Sequence, residues 1–135
     1  MKYLYPKQLA YLHEQIIQRS GGLGGLRDQN LLESAVYRPQ ATFGGNELYA
    51  DLFSKVAALG HSLLQNHPFV DGNKRTAFEA MRLMLRLNGF DLTASMKSKF
   101  AFVIKIATKK LSEQEMADWL RQRSRPYRQR KVKRT

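Results

Sequence analysis

The sequence predicts an all-α fold of about six helices in one domain, and three observations support this. Apolar residues recur at helical spacing in successive segments of the chain. Turn-forming stretches, such as Gly21–Gly25 and Pro68–Gly72, separate these segments. The length of 135 residues is enough for a single hydrophobic core.

The first helix is predicted to begin near Pro6, because proline suits the first turn of a helix. Its apolar face consists of Leu9, Leu12, Ile16 and Ile17. The Gly21–Gly25 run ends this helix. Leu26 and Arg27 follow the run, whereas a phosphate-binding P-loop has Lys and then Ser or Thr there. The run is therefore predicted to be a turn.

A second, short helix is predicted after Asp28, which is a good N-cap residue. Its apolar residues are Leu31, Leu32, Ala35 and Val36. The segment from Pro39 to Asn46 is predicted to be a loop or short hairpin between the second and third helices. Within it, Thr42 and Phe43 have side chains that favour extended structure.

Four further helices are predicted, at residues 48–66, 73–88, 96–108 and 112–123. The apolar stripe of the first of these consists of Leu52, Val56, Leu59 and Leu63. It should end near His67, because Pro68 disfavours helical geometry in the residue before it. Ser112 and Glu115 form a capping-box pattern at the start of the last helix.

The loop between the third and fourth helices has the sequence His67-Pro68-Phe69-Val70-Asp71-Gly72-Asn73-Lys74-Arg75. The helix N-terminus that follows offers unpaired N–H groups to a phosphate. Gly72 allows close approach of an anion, and Lys74 and Arg75 supply cations. Asp71 is a suitable Mg²⁺ ligand, and His67 can accept a proton from a hydroxyl near neutral pH. Together these residues favour transfer of part of a nucleoside triphosphate to a hydroxyl.

Each of these features alone has a structural alternative: a supporting histidine, an ordinary turn or a solvated cation pair. Their conjunction within nine residues favours a catalytic loop. Phe69 is predicted to lie in the core under either interpretation. His13 and His61 are interpreted as packing or supporting histidines, and neither has a second His or Cys at zinc-ligand spacing.

The run resembles the Fic/Doc signature, H-x-F-x-[DN]-[GA]-N-[GK]-R, and Lys74 resembles the death-on-curing (Doc) branch of that family. Further similar segments are His13-Glu14, Gly21–Leu23, Leu26–Asp28, Leu31–Ala35, Pro39–Gly45 and Arg86–Gly89. The resemblance implies a Fic-like domain over residues 1–123, with a flap between the second and third helices.

The resemblance also implies a role for each residue of the signature. His67 would be the general base, Phe69 would pack inward and Asp71 would hold Mg²⁺. The phosphates of ATP would be bound by Gly72, Asn73, Lys74 and Arg75. In the flap, Thr42 and Phe43 would pair with an extended segment of the target protein.

Lys74 implies a Doc-like toxin that transfers the γ-phosphate of ATP to a Ser or Thr of a translation factor, by resemblance elongation factor Tu, and so inhibits translation. AMP-transferring Fic proteins have Gly in place of Lys74 and usually Arg in place of Phe78. However, Doc has Ala where this chain has Gly72. AMP transfer to a protein is therefore one alternative, and a non-catalytic basic module that binds nucleic acid or a partner is another.

Regulation is predicted to act in trans. The motif [ST]-x-x-x-E-[GN], whose glutamate restrains Fic-like enzymes in cis, does not occur in the sequence. The resemblance therefore implies an antitoxin similar to the prevent-host-death partner of Doc, with a C-terminal segment that folds onto an apolar groove of this chain.

The formal net charge is +12, and eight Lys or Arg residues with no acid lie between Arg121 and Thr135. The rest of the chain carries 15 basic and 11 acidic residues. Residues 124–135 are predicted to be a basic, disordered tail able to contact nucleic acid or an acidic antitoxin. The lack of cysteine, signal peptide and long apolar runs predicts a cytoplasmic protein without a membrane segment.

Overall fold

The computed structural model describes residues 1–108 and 111–127. Within these ranges the chain forms six helices: α1 (Pro6–Ser20), α2 (Gln29–Tyr37), α3 (Leu52–Asn66), α4 (Asn73–Leu87), α5 (Met96–Ala107) and α6 (Glu113–Arg123). Two small two-stranded sheets accompany them. The predicted all-α class with six helices is therefore confirmed. In the described part of the chain, no helix has the length and apolar character needed to cross a membrane.

The start of α3 is set by a cap that the sequence prediction did not use. The Asp51 carboxylate accepts a hydrogen bond from the Ser54 N–H at 2.9 Å, so the helix begins at Leu52 and not at residue 48. The capping box predicted for α6 is present, because Ser112 and Glu115 each accept a hydrogen bond from the backbone of the other.

Helix α3 lies at the centre of the core and packs against α2, α4 and α6. The buried apolar side chains of these four helices include Leu32, Val36, Val56, Leu59, Leu63, Met81, Met84, Leu85, Met116 and Leu120. Helices α3 and α4 pack tightly at Gly60, where an added Cβ would lie 2.7 Å from Met81 Cγ and nearer still to its Sδ. The two helices that flank the signature loop are thus in direct contact.

Replacing Gly60 with Ala should destabilise the fold. Alanine would favour the helix by about 1 kcal/mol, but the overlap with Met81 should cost about 1–3 kcal/mol in a packed core. Urea unfolding of Gly60→Ala should therefore give a lower free energy of unfolding than wild type. Adding Met81→Ala makes room for the new methyl, so the double variant should lose less stability than the two single variants combined. A Gly60→Ala protein more stable than wild type would contradict this close packing.

A hairpin joins α2 to α3, as predicted. Its strands are β1 (Thr42–Phe43) and β2 (Asn46–Glu47), which pair in antiparallel fashion. The turn residues Gly44 and Gly45 have φ angles of 58° and 83°, and type I′ turns require positive φ at both positions. A 3₁₀ turn at Arg38–Gln40 leads into the hairpin.

The second sheet was not predicted. Its strands are β3 (Phe90–Leu92) and β4 (Ser124–Pro126), paired in antiparallel fashion. The Tyr127 N–H then donates to the Gly89 carbonyl at 2.7 Å. The first residues of the predicted disordered tail are therefore part of the fold, because their backbone groups complete a sheet with β3. The remainder of the predicted tail, residues 128–135, lies outside the described residues.

Candidate active site

The signature begins where α3 ends. His67 is the C-cap of α3 and adopts the left-handed conformation, with φ 47° and ψ 58°. Its N–H donates to the Leu63 carbonyl at 3.2 Å, and the buried Pro68 then turns the chain away from the helix axis. The His67 side chain is exposed, and no described polar group hydrogen-bonds its imidazole. The ring is therefore open to solvent at the end of α3.

Arg27 holds the backbone around His67. Its Nε donates to the His67 carbonyl and its Nη2 to the Asn66 carbonyl, both at 2.7 Å. Its own backbone N–H donates to the Pro68 carbonyl at 2.7 Å. The two guanidinium bonds satisfy carbonyls at the C-terminus of α3 that have no partner within the helix. They also fix the position from which the histidine side chain projects.

Phe69, His13 and Asn73 fix the middle of the loop. Phe69 is 2% exposed and stacks on His13, with 3.9 Å between ring centroids and 5° between ring planes. The buried His13 also places its Nε2 2.7 Å from the Asp71 carbonyl oxygen. The Asn73 amide donates to the Phe69 carbonyl at 2.9 Å and accepts from the Phe69 N–H at 3.0 Å. His13 is thus a structural residue, as interpreted from the sequence, and the structure that it supports is the signature loop.

The Asp71 carboxylate is held by two backbone N–H groups. Oδ2 accepts from Leu23 at 3.1 Å, and Oδ1 accepts from Gly72 at 2.8 Å. These hydrogen bonds, followed by the charge of Arg75, lower the pKa of Asp71 below its ordinary value. The group is therefore ionised at neutral pH and remains so at a lower pH than an ordinary aspartate.

The residues directly after α1 pack against this carboxylate. Gly22 has φ 116°, and a Cβ at this position would lie 2.7 Å from Asp71 Oδ2 and 3.1 Å from Arg75 Nη2. The Arg75 guanidinium donates from Nη1 to the Gly21 carbonyl at 3.0 Å and to the Ser20 hydroxyl. The glycine run that the sequence predicted as a turn is an irregular connection after α1, and Gly22 within it lies against two residues of the signature.

The N-terminus of α4 completes the arrangement. Gly72 is its N-cap, and the backbone N–H groups of residues 73–75 have no acceptor within the helix. The Asn73 side chain is already bonded to Phe69, so only its backbone N–H is open to a phosphate. The Lys74 side chain is exposed. Backbone donors and a cation thus lie in the stretch directly after Asp71.

The donor set around Asp71 fits Mg²⁺ bound jointly with a nucleotide. Each oxygen of the ionised carboxylate accepts one N–H and keeps a further lone pair. Among residues 1–108 and 111–127, no three His, Cys, Asp or Glu side chains form a metal-binding group. Mg²⁺ commonly binds through one or two carboxylates with substrate phosphates and water as the remaining ligands, which matches a single carboxylate beside a helix N-terminus with open N–H groups.

The predicted flap residues lie on a different element. Thr42 and Phe43 form β1, and the Phe43 side chain is 81% exposed at the edge of the hairpin turn. Within the described part of the chain, no hydrogen bond joins this hairpin to residues 67–75. The structure therefore brings the signature residues together and leaves the hairpin as a separate, exposed element.

Sequence reasoning missed three contributors to this site: Arg27, Gly22 and the Leu23 backbone. All three belong to the segment between α1 and α2, which contacts the signature loop across about forty or more residues of sequence. All three lie in Gly21–Leu23 and Leu26–Asp28, two segments that resemble the Fic/Doc family. That resemblance was the available signal, because loop residues near a functional motif often hold it in place.

Comparison with known proteins agrees with this arrangement. A family model described as the Fic/DOC family matches residues 3–85. "Toxin Doc" of Mycolicibacterium smegmatis (strain ATCC 700084 / mc(2)155) is 46% identical over 89 residues, which cover 62% of this chain and 68% of that protein. "Protein kinase doc" of Escherichia phage P1 is 35% identical over 121 residues, which cover 90% of this chain and 94% of that protein. With the signature held between α3 and α4, this chain belongs to the Fic/Doc family.

Proposed function

We propose that the chain is a Doc-like toxin and a protein kinase that transfers the γ-phosphate of ATP to a Ser or Thr hydroxyl of a translation factor. The observation that carries this proposal is the placement of an open His67 and an ionised Asp71 beside the N-terminus of α4 and Lys74. Among translation factors, elongation factor Tu is the target that the family resemblance favours. ATP is then the substrate, and Mg²⁺ accompanies it.

In the proposed mechanism, His67 accepts the proton of the target hydroxyl. The hydroxyl oxygen forms a bond to the γ-phosphorus, the bond between that phosphorus and the β-γ bridging oxygen breaks, and ADP leaves. The backbone N–H groups at the start of α4 and the charge of Lys74 stabilise the phosphate oxygens. Mg²⁺ bound through Asp71 would neutralise further phosphate charge. Positioning and charge neutralisation supply most of the catalysis in such phosphoryl transfers.

The kinase reaction is favoured over AMP transfer by Lys74 and by similarity to a phage protein named as a kinase across 90% of this chain. AMP transfer is favoured only by Gly72. Purified protein incubated with Mg²⁺, bacterial lysate and ATP labelled at either the γ- or the α-phosphate separates the two. A protein labelled from γ-ATP alone supports the kinase, whereas label from α-ATP overturns it in favour of AMP transfer.

The hairpin is proposed to dock the target by adding an extended segment of it to β1. Phe43→Pro removes the N–H that faces Asn46 of β2 in the strand pairing, so it should disrupt the hairpin and lower target modification at least tenfold. ATP affinity should be unchanged, because no described hydrogen bond links the hairpin to residues 67–75. Phe43→Leu, which keeps the extended backbone, is the control and should retain most modification. Target modification by Phe43→Pro at the wild-type rate would contradict the docking role.

Toxicity and its control in trans are also part of the proposal. Expression of the chain alone in the bacterial cytoplasm should arrest growth, and co-expression of an antitoxin should restore it. Growth unaffected by high-level expression would contradict the toxin function. The basic segment after Tyr127 is a candidate contact for an acidic antitoxin or for nucleic acid, since it carries Arg128, Arg130, Lys131, Lys133 and Arg134 without an acid.

A further inference from the structure

A buried lysine lies outside the signature and has no part in the proposed phosphoryl transfer. The Lys55 side chain, on α3, is 2% exposed, and it is the one Lys or Arg among the buried residues of the described chain. Its Nζ donates to the Pro39 carbonyl at 3.2 Å and to Glu47 Oε1 at 3.1 Å. Nζ also lies 5.7 Å from the ring centroid of Tyr3.

The two partners of Lys55 lie on opposite sides of the hairpin. Pro39 belongs to the 3₁₀ turn that leads into β1, and Glu47 ends β2. One ammonium group on α3 therefore connects the entry and the exit of the hairpin to the central helix. A lysine is strongly hydrated and loses that hydration on burial, a cost that its bonds to Pro39 and Glu47 must offset. An apolar residue of similar size would lack the bond that the lysine makes to each side of the hairpin.

A second pair of residues joins the two ends of the hairpin, since Arg38 precedes β1 and Tyr49 follows β2. Arg38 Nε donates to the Tyr49 hydroxyl at 2.9 Å, and the guanidinium lies 5.5 Å from the centroid of that ring. The Leu48 N–H donates to the Ala41 carbonyl at 2.9 Å and extends the strand pairing by one step. The base of the hairpin is thus held by Lys55 and by the Arg38–Tyr49 pair, whereas no side chain of the described residues hydrogen-bonds its turn, and Phe43 is 81% exposed.

Helix α3 also relates Lys55 to His67, because the helix that carries Lys55 ends at His67. The separation of twelve positions between them corresponds to about 18 Å at the rise of an α-helix. An extended target segment of about five residues spans a similar distance, at about 3.3 Å per residue. A hairpin fixed at Lys55 can therefore fix which residue of a paired target segment reaches His67.

We infer that Lys55 is a positioning residue that holds the hairpin on α3 and so sets the alignment of the protein target relative to His67. This inference rests on the proposed function for the part that concerns the target. Lys55 acts through Pro39 and Glu47, and it does not contact the nucleotide or the reacting hydroxyl.

The first test measures the hairpin itself and needs no activity. Amide hydrogen exchange at Leu48 should be at least tenfold faster in Lys55→Met than in wild type, since the methionine fills the space but cannot bind both sides of the hairpin. The control is Lys99→Met, which removes another lysine paired with a glutamate, Glu79, at 3.4 Å. Exchange at Leu48 equal to wild type in Lys55→Met would overturn the inference.

A second variant tests the inference even if Lys55→Met does not fold. Glu47→Ala removes the exposed partner, whose side chain is 60% accessible, and should leave the core intact. It should also accelerate exchange at Leu48, by a smaller factor than Lys55→Met because the bond to Pro39 remains. If Lys55→Met does not fold, unchanged exchange in Glu47→Ala overturns the inference.

The consequence for the target is measured by steady-state kinetics. In Lys55→Met, kcat at saturating target should fall about tenfold, because the target segment then binds in alignments that do not present its hydroxyl to His67, while KM for ATP stays near wild type. A merely structural effect would change KM for ATP as well. An unchanged kcat, with faster exchange at Leu48, would overturn the alignment role. If wild type itself transfers no phosphate, the proposed function fails, and the exchange measurement alone decides whether Lys55 positions the hairpin.

Discussion

His67→Ala is expected to lower the rate of phosphate transfer by about 10²–10⁴-fold, the usual contribution of a general base. ATP affinity should change little. The imidazole is exposed, no described polar group hydrogen-bonds it, and the proposed phosphate donors are the backbone of α4 and Lys74. The measurement is transfer of γ-label to the target, paired with calorimetric titration of the variant with Mg²⁺-ATP.

His61→Ala is the matched control for this variant. His61 lies on the same helix, is 23% exposed, and places Nδ1 3.6 Å from Glu113. Among the described residues it forms no hydrogen bond with the signature, so its loss should leave phosphate transfer within a few-fold of wild type. Full transfer by His67→Ala would remove the general base from the mechanism. A parallel loss of ATP binding would instead assign His67 to the nucleotide site.

The helices and their ends could be predicted from the sequence because their signals are local. Ser112 with Glu115, Asp28 before α2, and Pro68 after α3 act within a few residues of their own positions, and each helix end lies near the predicted residue. The start of α3 was placed too early because Asp51, another local cap, was not used. The capping residues were thus sufficient to predict a helix end wherever all of them were taken into account.

The β3–β4 pairing could not be predicted in the same way. Its strands are three residues each and lie more than thirty residues apart, with α5 and α6 between them. Strands this short carry too few residues for a period-two pattern, and no turn sequence joins them. Composition favoured disorder for Ser124–Pro126, but backbone pairing with β3 outweighed that preference.

The residues of the signature could be predicted from the sequence, but the bonding partner of each side chain could not. Asn73 was assigned to phosphate, yet its side chain bonds to both backbone groups of Phe69. Arg75 was assigned to phosphate, and its guanidinium also bonds to the end of α1. A motif shows which side chains are near one another, whereas their partners depend on segments that fold onto the motif from elsewhere in the chain.

Gly22→Ala is expected to have the second large effect on activity, although Gly22 lies outside the signature. The new Cβ would lie 2.7 Å from Asp71 Oδ2, so the carboxylate or the turn must move. A misplacement of about 1 Å near reacting groups can cost about 10²-fold in rate. We therefore expect kcat/KM for Mg²⁺-ATP to fall by about that factor.

Thermal unfolding separates this effect from a general loss of stability. Gly22 has φ 116°, which an alanine adopts only with strain of about 1–3 kcal/mol, so Tm should fall in Gly22→Ala. Assays well below the Tm of the variant keep it folded. Gly24→Ala is the control, because its Cβ would meet no atom within 4 Å, and it should keep both activity and Tm near wild type.

The dependence on Mg²⁺ then identifies the group that Gly22→Ala disturbs. If the displaced Asp71 carboxylate is responsible, a higher Mg²⁺ concentration should recover part of the lost activity, and Asp71→Asn should show a similar demand for Mg²⁺. Combining the two changes should then cost less than the sum of their separate effects, since both act on one ligand. Additive effects would place the damage at Arg75, whose Nη2 lies 3.1 Å from the same added Cβ, and would remove Asp71 from the explanation.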